Sequence, residues 1–312
     1  MKPFAFVFPG QGSQAVGMLD AWGDHPAVAA TVKEASDALG EDVGRLIKEG
    51  PKEALALTTN TQPVMLVAGV AAWRAWLAEG GAQPSVVAGH SLGEYSALVA
   101  SGVLTLADAA PLVRFRAQAM QQAVPAGAGA MAAILGLDAD AVVAGCAQAQ
   151  VATGEVVSAA NFNEPKQTVI AGTQAAVARA CELLKAAGAK RTLPLPVSAP
   201  FHCPLMQPAA ERLRERLATL ALAAPRIAVL NNVDVAAPTE PAAIADALYR
   251  QASQPVRWVE LVRALRARGV THVVECGPGK VLSGLVRRID ADLAAAAVYD
   301  PATLEELKGS LR

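Results

Sequence analysis

The 312-residue sequence is poor in aromatic residues (4%), in charged residues (18%), in cysteine (four) and in histidine (four), and each scarcity excludes something. Cys146, Cys181, Cys203 and Cys276 share no C-x-x-C spacing, so neither a disulfide framework nor a thiolate metal site is expected, and the thiols read as free in a reducing compartment. Lys plus Arg is 27 and Asp plus Glu is 28, a formal net charge of −1, which offers nucleic-acid phosphates nothing to bind. Long uncharged stretches free of proline are also missing. Residues 117–137 are broken by glutamines, glycines and Pro125, and residues 192–210 by five prolines, so neither reads as a membrane span. Met1-Lys2-Pro3 runs directly into a strand-like segment without the apolar core of a signal peptide, and a soluble, cytoplasmic protein is expected. With 53% apolar residues the chain has ample material for a buried core, which excludes disorder.

Short β-rich runs alternate with long Ala-rich amphipathic runs. Residues 4–8, 85–88, 228–230 and 272–274 read as strands, and 26–39, 63–79, 106–124, 204–220 and 242–251 as helices. That alternation predicts a parallel sheet covered on both faces. The middle changes character. Residues 129–137 (strand), 138–150 (helix), 156–161 and 167–171 (strands), 174–187 (helix) and 189–197 (extended) follow the βαββαβ order of a ferredoxin-like unit. An inserted subdomain is therefore expected at 126–197, within a discontinuous larger domain formed by 1–125 and 198–312.

Gly89-His90-Ser91-Leu92-Gly93 matches the G-x-S-x-G nucleophile elbow, directly after a strand and before a helical run at 94–100. An ordinary glycine-rich turn would need neither neighbour. A serine needs a base at neutral pH. Of the four histidines, His25 sits in a polar, surface-like stretch, His272 in an apolar strand, and His90 inside the elbow, its ring expected to point away from the serine oxygen. That leaves His202, in Pro200-Phe201-His202-Cys203-Pro204, as the general-base candidate; its plainer reading is a loop histidine capping the next helix. Asp234 or Asp246 would complete a triad, or a carbonyl oxygen orients the imidazole instead; the residues alone do not choose.

Gly10-x-Gly12-x-x-Ala15 also fits a dinucleotide fingerprint, but the segment that should become a second strand ending in an acidic residue looks helical. A tight loop whose N–H groups stabilise an oxyanion is the alternative. Gly277-Pro278-Gly279-Lys280 is no Walker loop, since Val274 and Val281 stand where Gly and Ser or Thr belong.

Together, Phe8-Pro-Gly-Gln-Gly-Ser-Gln14 and Gly89-His-Ser-Leu-Gly-Glu-Tyr-Ser-Ala-Leu98 resemble signatures of the malonyl-CoA:acyl carrier protein transacylase family. So do Thr61-Gln-Pro63, Gln121–Pro125 with Gly129–Met131, Asn161-Phe-Asn163, Pro200-Phe-His202, Asn231–Val235 and Gly277–Lys280, spread over nearly the whole chain. The resemblance implies an α/β-hydrolase-like domain with a ferredoxin-like insertion. It implies Ser91 as acylated nucleophile, His202 as general base, the Gln11 and Leu92 N–H groups as oxyanion hole, Arg116 for the malonyl carboxylate, Gln62 lining the pocket, and a Gln251 carbonyl holding the histidine ring. Arg116 is also reasoned from its chemistry: a planar charged fork pairs with a carboxylate, and Arg114, two residues away, cannot share its helix face. In related acyltransferase domains an Ala-Phe-His segment resembles malonyl users and Ala-Ser-His methylmalonyl users; with Pro200 departing from that pattern, Phe201 is the candidate for keeping the pocket small.

Ping-pong transfer from malonyl-CoA to the phosphopantetheine thiol of acyl carrier protein is thus expected, in fatty-acid synthesis, by a monomer without metal or redox cofactor. The alternatives are a stand-alone acyltransferase serving a polyketide synthase, and a serine esterase or thioesterase. Docking of an acidic carrier protein would need a local basic patch, for which Lys190-Arg191 and Arg287-Arg288 are the candidates.

Overall fold

The computed structural model describes residues 2–311. Among them nine strands form two sheets: β1 (Phe4–Phe8), β2 (Val86–Gly89), β3 (Gly129–Leu135), β4 (Val157–Glu164), β5 (Gln167–Thr173), β6 (Arg191–Pro194), β7 (Ala228–Leu230), β8 (His272–Cys276) and β9 (Ala294–Val298). The first sheet is parallel throughout, in the order β7-β2-β1-β8-β9. The second is antiparallel, in the order β4-β5-β3-β6.

Thirteen α-helices surround them: α1 (Pro26–Leu39), α2 (Val43–Glu49), α3 (Lys52–Ala56), α4 (Thr58–Ala78), α5 (Gly93–Ala100), α6 (Leu106–Gln122), α7 (Ala139–Thr153), α8 (Gln174–Ala186), α9 (Gln207–Leu217), α10 (Pro241–Gln251), α11 (Trp258–Ala267), α12 (Val281–Ile289) and α13 (Pro301–Ser310). None is long and apolar enough to cross a membrane.

β1 explains the layering. Its five residues are all buried, because a central parallel strand is covered on both faces. Phe4, Phe6 and Phe8 join the core containing α4, where Phe6 meets Trp73 and Trp76 edge to face at 5.6 and 5.3 Å. Ala5 and Val7 face the opposite core, with Trp258, Leu261 and Leu265 of α11 and Leu285 and Val286 of α12. A third core lies between α7, α8 and the antiparallel sheet.

Several expected boundaries move, each for a local reason. The helix expected from Pro63 begins at Thr58; Asn60 and Thr61 already close its first turn on the Leu57 carbonyl, and Pro63 sits inside. The helix expected from Pro204 splits into a 3₁₀ turn (Pro204–Met206) and α9, because Pro208 has no N–H to donate to the Pro204 carbonyl. The extended segment 189–197 pairs only over Arg191–Pro194. Helices α2, α3, α11, α12 and α13 and strand β9 lie outside the sequence reading; β9 is a run of alanines ending in valine, with no pattern of its own. After β1 the next regular α-helix is α1, and the parallel partners of β1 come from residues 86–89 and 272–275, so no dinucleotide-type second strand follows the Gly10 loop.

Candidate active site

The elbow is set by close backbone approaches. A Cβ on Gly93 would lie 2.0 Å from the Phe8 carbonyl oxygen, one on Gly89 1.9 Å from the Gly93 carbonyl carbon, and one on Gly10 2.5 Å from the His90 carbonyl oxygen. Only glycine lets the β1 and β2 loops meet this closely. Ser91 sits between them in the left-handed region at φ 52°, which lifts its hydroxyl off the C-terminal edge of the sheet.

His202, at φ 59°, comes from the other side of the cleft and places Nε2 2.6 Å from Ser91 Oγ. Its Nδ1 lies 2.8 Å from the Gln251 carbonyl oxygen at the end of α10. A carbonyl has no hydrogen to give, so Nδ1 carries the proton, and a neutral ring then presents the lone pair of Nε2 to the serine. Burial, and then the charge of Arg116, hold the His202 pKa down at about 3, so the ring is neutral at physiological pH.

The two aspartates considered for a triad are elsewhere. Asp234 accepts from both terminal nitrogens of Arg250 at 2.7 Å, and Asp246 accepts from Arg250 Nε at 2.7 Å. Both are therefore corrected to an ion-pair cluster, and the carbonyl alternative describes the ring's partner. The other histidines form their hydrogen bonds away from Ser91 Oγ. His25 caps α1, accepting from the Ala27 N–H, and His272 shares a hydrogen bond with Thr271. His90 turns its ring to Asn163 Oδ1 at 2.8 Å, against Trp258.

Arg116 is 2% exposed. It donates to Gln62 Oε1 (2.6 Å), Gln251 Oε1 (3.0 Å) and Ser91 Oγ (3.2 Å), with its guanidinium over the Tyr95 ring at 5.3 Å. Burial lowers its pKa, yet a guanidinium stays charged in proteins. Arg114, on the other side of α6, instead reaches Glu41 and Asn60. Gln62 donates in turn to Thr58 Oγ1 (3.1 Å), and Thr58 to Gln11 Oε1 (3.0 Å), so a hydrogen-bond chain runs from Arg116 to the Gln11 loop. Arginine has no acceptor, so it fixes the direction of every bond in that chain. Among the described residues the Gln11 and Leu92 backbone N–H groups donate to no protein acceptor. Gly279 packs on Ser13, which places the loop after β8 against the loop after β1.

A cavity of about 520 Å³ opens over these groups. Gln11, Gln62, Ser91, Leu92, Arg116, Phe201 and His202 line it, together with Asn161, Asn163, Gln167 and Val281. Of the expected site residues, only Gln251 lies outside this lining; it is completely buried and acts from behind His202. The basic pairs Lys190-Arg191 and Arg287-Arg288 are exposed, with Arg288 paired to Glu164 and Arg287 donating to the Ala295 carbonyl.

Sequence reasoning missed what holds the elbow from below. Asn232, fully buried, accepts from the Ser91 N–H (2.7 Å) and donates to the Gly89 carbonyl (2.6 Å). Glu94, 2% exposed on the first turn of α5, accepts from the Asn232 N–H and from Gln251 Nε2, both at 2.9 Å and both through Oε2. Burial pushes the Glu94 carboxyl up to about 7, against the pull of those two bonds and of Arg116. Both residues lie within the quoted motifs, but only their convergence in space reveals the contact.

A profile of the acyl transferase domain matches residues 5–299. The chain is 53% identical over 305 residues to the malonyl CoA-acyl carrier protein transacylase of Salmonella typhimurium, covering 97% of this chain and 98% of that one. It superposes with a TM-score of 0.97 on the acyl-carrier-protein S-malonyltransferase of Burkholderia pseudomallei, at 63% identity over 99% of this chain and all of that one. A malonyl-transacylase solved in complex with its type II PKS acyl-carrier protein gives the same TM-score at 49% identity, again covering 99% of this chain and 100% of that one. A match along almost the whole length, over residues that include the elbow, His202 and the buried arginine, places the chain in the malonyl CoA-acyl carrier protein transacylase family of acyl transferases.

Proposed function

We propose that this chain transfers the malonyl group of malonyl-CoA to the phosphopantetheine thiol of an acyl carrier protein, through an ester on Ser91, for fatty-acid synthesis. One observation carries the reading beyond a generic serine acyltransferase: a buried arginine donates into the space at Ser91 Oγ, where the distal carboxylate of a malonyl group would lie. A hydrolase with a neutral acyl pocket would have no use for that charge.

In the first half-reaction Ser91 Oγ attacks the thioester carbonyl as His202 Nε2 takes its proton. The Gln11 and Leu92 N–H groups receive the developing oxyanion. The C–S bond breaks, and the CoA sulfur leaves with the proton held by His202. In the second, His202 takes the proton of the carrier-protein thiol, its sulfur attacks the malonyl ester, and Ser91 regains its hydrogen. The exchange balances without a metal or redox cofactor. Arg116 pairs with the malonyl carboxylate, and Gln62 holds the guanidinium in place. That pairing also offsets the charge that helps to hold His202 neutral, so the right acyl group favours its own proton transfer. Phe201 lines the cavity, and we assign it to limiting the space at the α-carbon.

We read the parallel sheet and its helices, from residues 1–125 and 198–312, as an α/β-hydrolase-like domain, and residues 126–197 as a ferredoxin-like insertion. The strand order β4-β5-β3-β6 with α7 and α8 on one face supports the latter. The protein would act as a soluble cytoplasmic monomer. Intact-mass measurement after mixing with malonyl-CoA, acetyl-CoA or methylmalonyl-CoA tests the reaction. Wild type gains one malonyl group, and Ser91→Ala gains none while keeping its fold; an undiminished adduct on the variant removes Ser91 from the mechanism.

A further inference from the structure

Among the described residues no carboxylate touches the site's histidine, yet one buried carboxylate lies one residue removed. Glu94 Oε2 accepts from Gln251 Nε2 and from the Asn232 N–H, and through these two residues it reaches most of the site. Gln251 supplies the carbonyl that holds His202 Nδ1, donates to the Ser91 carbonyl and accepts from Arg116. Asn232 holds the Ser91 N–H and the Gly89 carbonyl. We propose that Glu94 is a positioning residue for the transfer reaction: one carboxylate oxygen ties the elbow that presents Ser91 to the helix end that orients His202.

The geometry requires an acceptor at that spot. Gln251 and Asn232 come from different elements, the end of α10 and the loop after β7, and both aim N–H donors at the same point beneath the elbow. Two buried donors converging there must find an oxygen or stand unpaired. A side chain reaching from the first turn of α5 meets them only because the elbow turns the chain so sharply into that helix. Ser91 and His202 both sit in left-handed backbone conformations, which persist only where surrounding contacts over-determine them. Glu94 supplies that constraint for both at once. The alternative, a carboxylate acting directly on the imidazole, is closed off because the Gln251 carbonyl already occupies Nδ1.

Because both bonds fall on one oxygen, acceptor capacity and charge separate by mutation. In Glu94→Gln the amide oxygen can accept both donors, whereas Glu94→Leu leaves both unpaired. The proposal rests on Ser91 being malonylated, so wild type is assayed alongside. Rates of malonyl-Ser91 formation are measured by quenched-flow mass analysis, malonyl-CoA affinity by titration, and the His202 Nδ1–H resonance by NMR, with circular dichroism reporting the fold. Glu94→Leu is expected to slow acylation at least 100-fold, to leave malonyl-CoA affinity within about threefold and to lose or shift the Nδ1–H resonance. Glu94→Gln is expected to stay within about fivefold of wild type with the resonance kept. Should Glu94→Leu not fold, Glu94→Asp, which withdraws the oxygen by one methylene, takes its place, with a loss of at least tenfold expected. A folded Leu or Asp variant that acylates at the wild-type rate, or a Gln variant as slow as the Leu variant, overturns the proposal. A wild-type protein that forms no malonyl-Ser91 overturns instead the functional reading on which it stands.

Discussion

Replacing Arg116 by alanine separates recognition of the acyl group from the chemistry performed on it. The guanidinium is almost wholly buried and points two terminal nitrogens into the site, to Gln62, Gln251 and Ser91. Removing one member of a buried ion pair costs about 3–5 kcal/mol when the other is left desolvated. Here the 520 Å³ cavity admits water to the vacated space, which brings the expected loss for malonyl transfer to about 2–4 kcal/mol. At 1.36 kcal/mol per tenfold, that is a fall of roughly 30- to 1,000-fold in kcat/KM for malonyl-CoA. An acetyl group has no carboxylate to lose. The loss of the Arg116 bonds to Gln62, Gln251 and Ser91 Oγ falls on both donors alike and cancels in their ratio, so acetyl transfer should fall by less than malonyl transfer. The assay is the kcat/KM for carrier-protein acylation with each donor, read by mass. The malonyl-to-acetyl ratio should fall at least about fivefold. If both donors lose the same factor, Arg116 is a structural arginine and the carboxylate is recognised elsewhere.

Phe201→Ser should raise methylmalonyl use relative to malonyl by about tenfold, within the roughly 1–3 kcal/mol that one methyl is worth in a pocket; an unchanged ratio of specificity constants takes Phe201 out of selectivity. Gly93→Ala drives a Cβ to 2.0 Å from the Phe8 carbonyl oxygen, with only backbone to yield, so thermal or urea unfolding should show a loss of at least about 3 kcal/mol; near-native stability would refute the elbow packing. His202 has a folded pKa of about 3 against an unfolded value near 6.5, so unfolding takes up a proton between these limits and wild type loses that stability as pH falls through the window. At pH 5 the loss is about 2 kcal/mol, and His202→Gln does not share it. The stability difference between the two proteins should therefore shift against wild type by that amount from pH 7 to pH 5; a pH-independent difference refutes a neutral buried His202.

The elbow was legible in the sequence because its requirements are local. A strand, a turn with no room for Cβ and a helix must follow one another within a dozen residues, and Gly89, Ser91 and Gly93 record all three. Strand β1 was legible for a similar reason, as five apolar residues in a row can only be covered on both faces. The histidine was reached by elimination, which a chain with four histidines allows. Its orienting partner came only through the family resemblance, since every residue has a carbonyl and nothing in the side chain of Gln251 marks the one that is used. Asp234 and Asp246 looked as suitable as any acid until Arg250 claimed both. The same holds for Thr58, Asn232 and Glu94: their atoms matter because of what lies 47 to 157 residues away, between Thr58 and Gln11 at one extreme and Glu94 and Gln251 at the other. Composition, short-range sterics and the types of residue present settled the class of fold and the class of chemistry. Which donor faces which acceptor was decided only when the sheet brought four distant loops to one edge, because hydrogen bonding acts over 3 Å and carries no memory of separation along the chain.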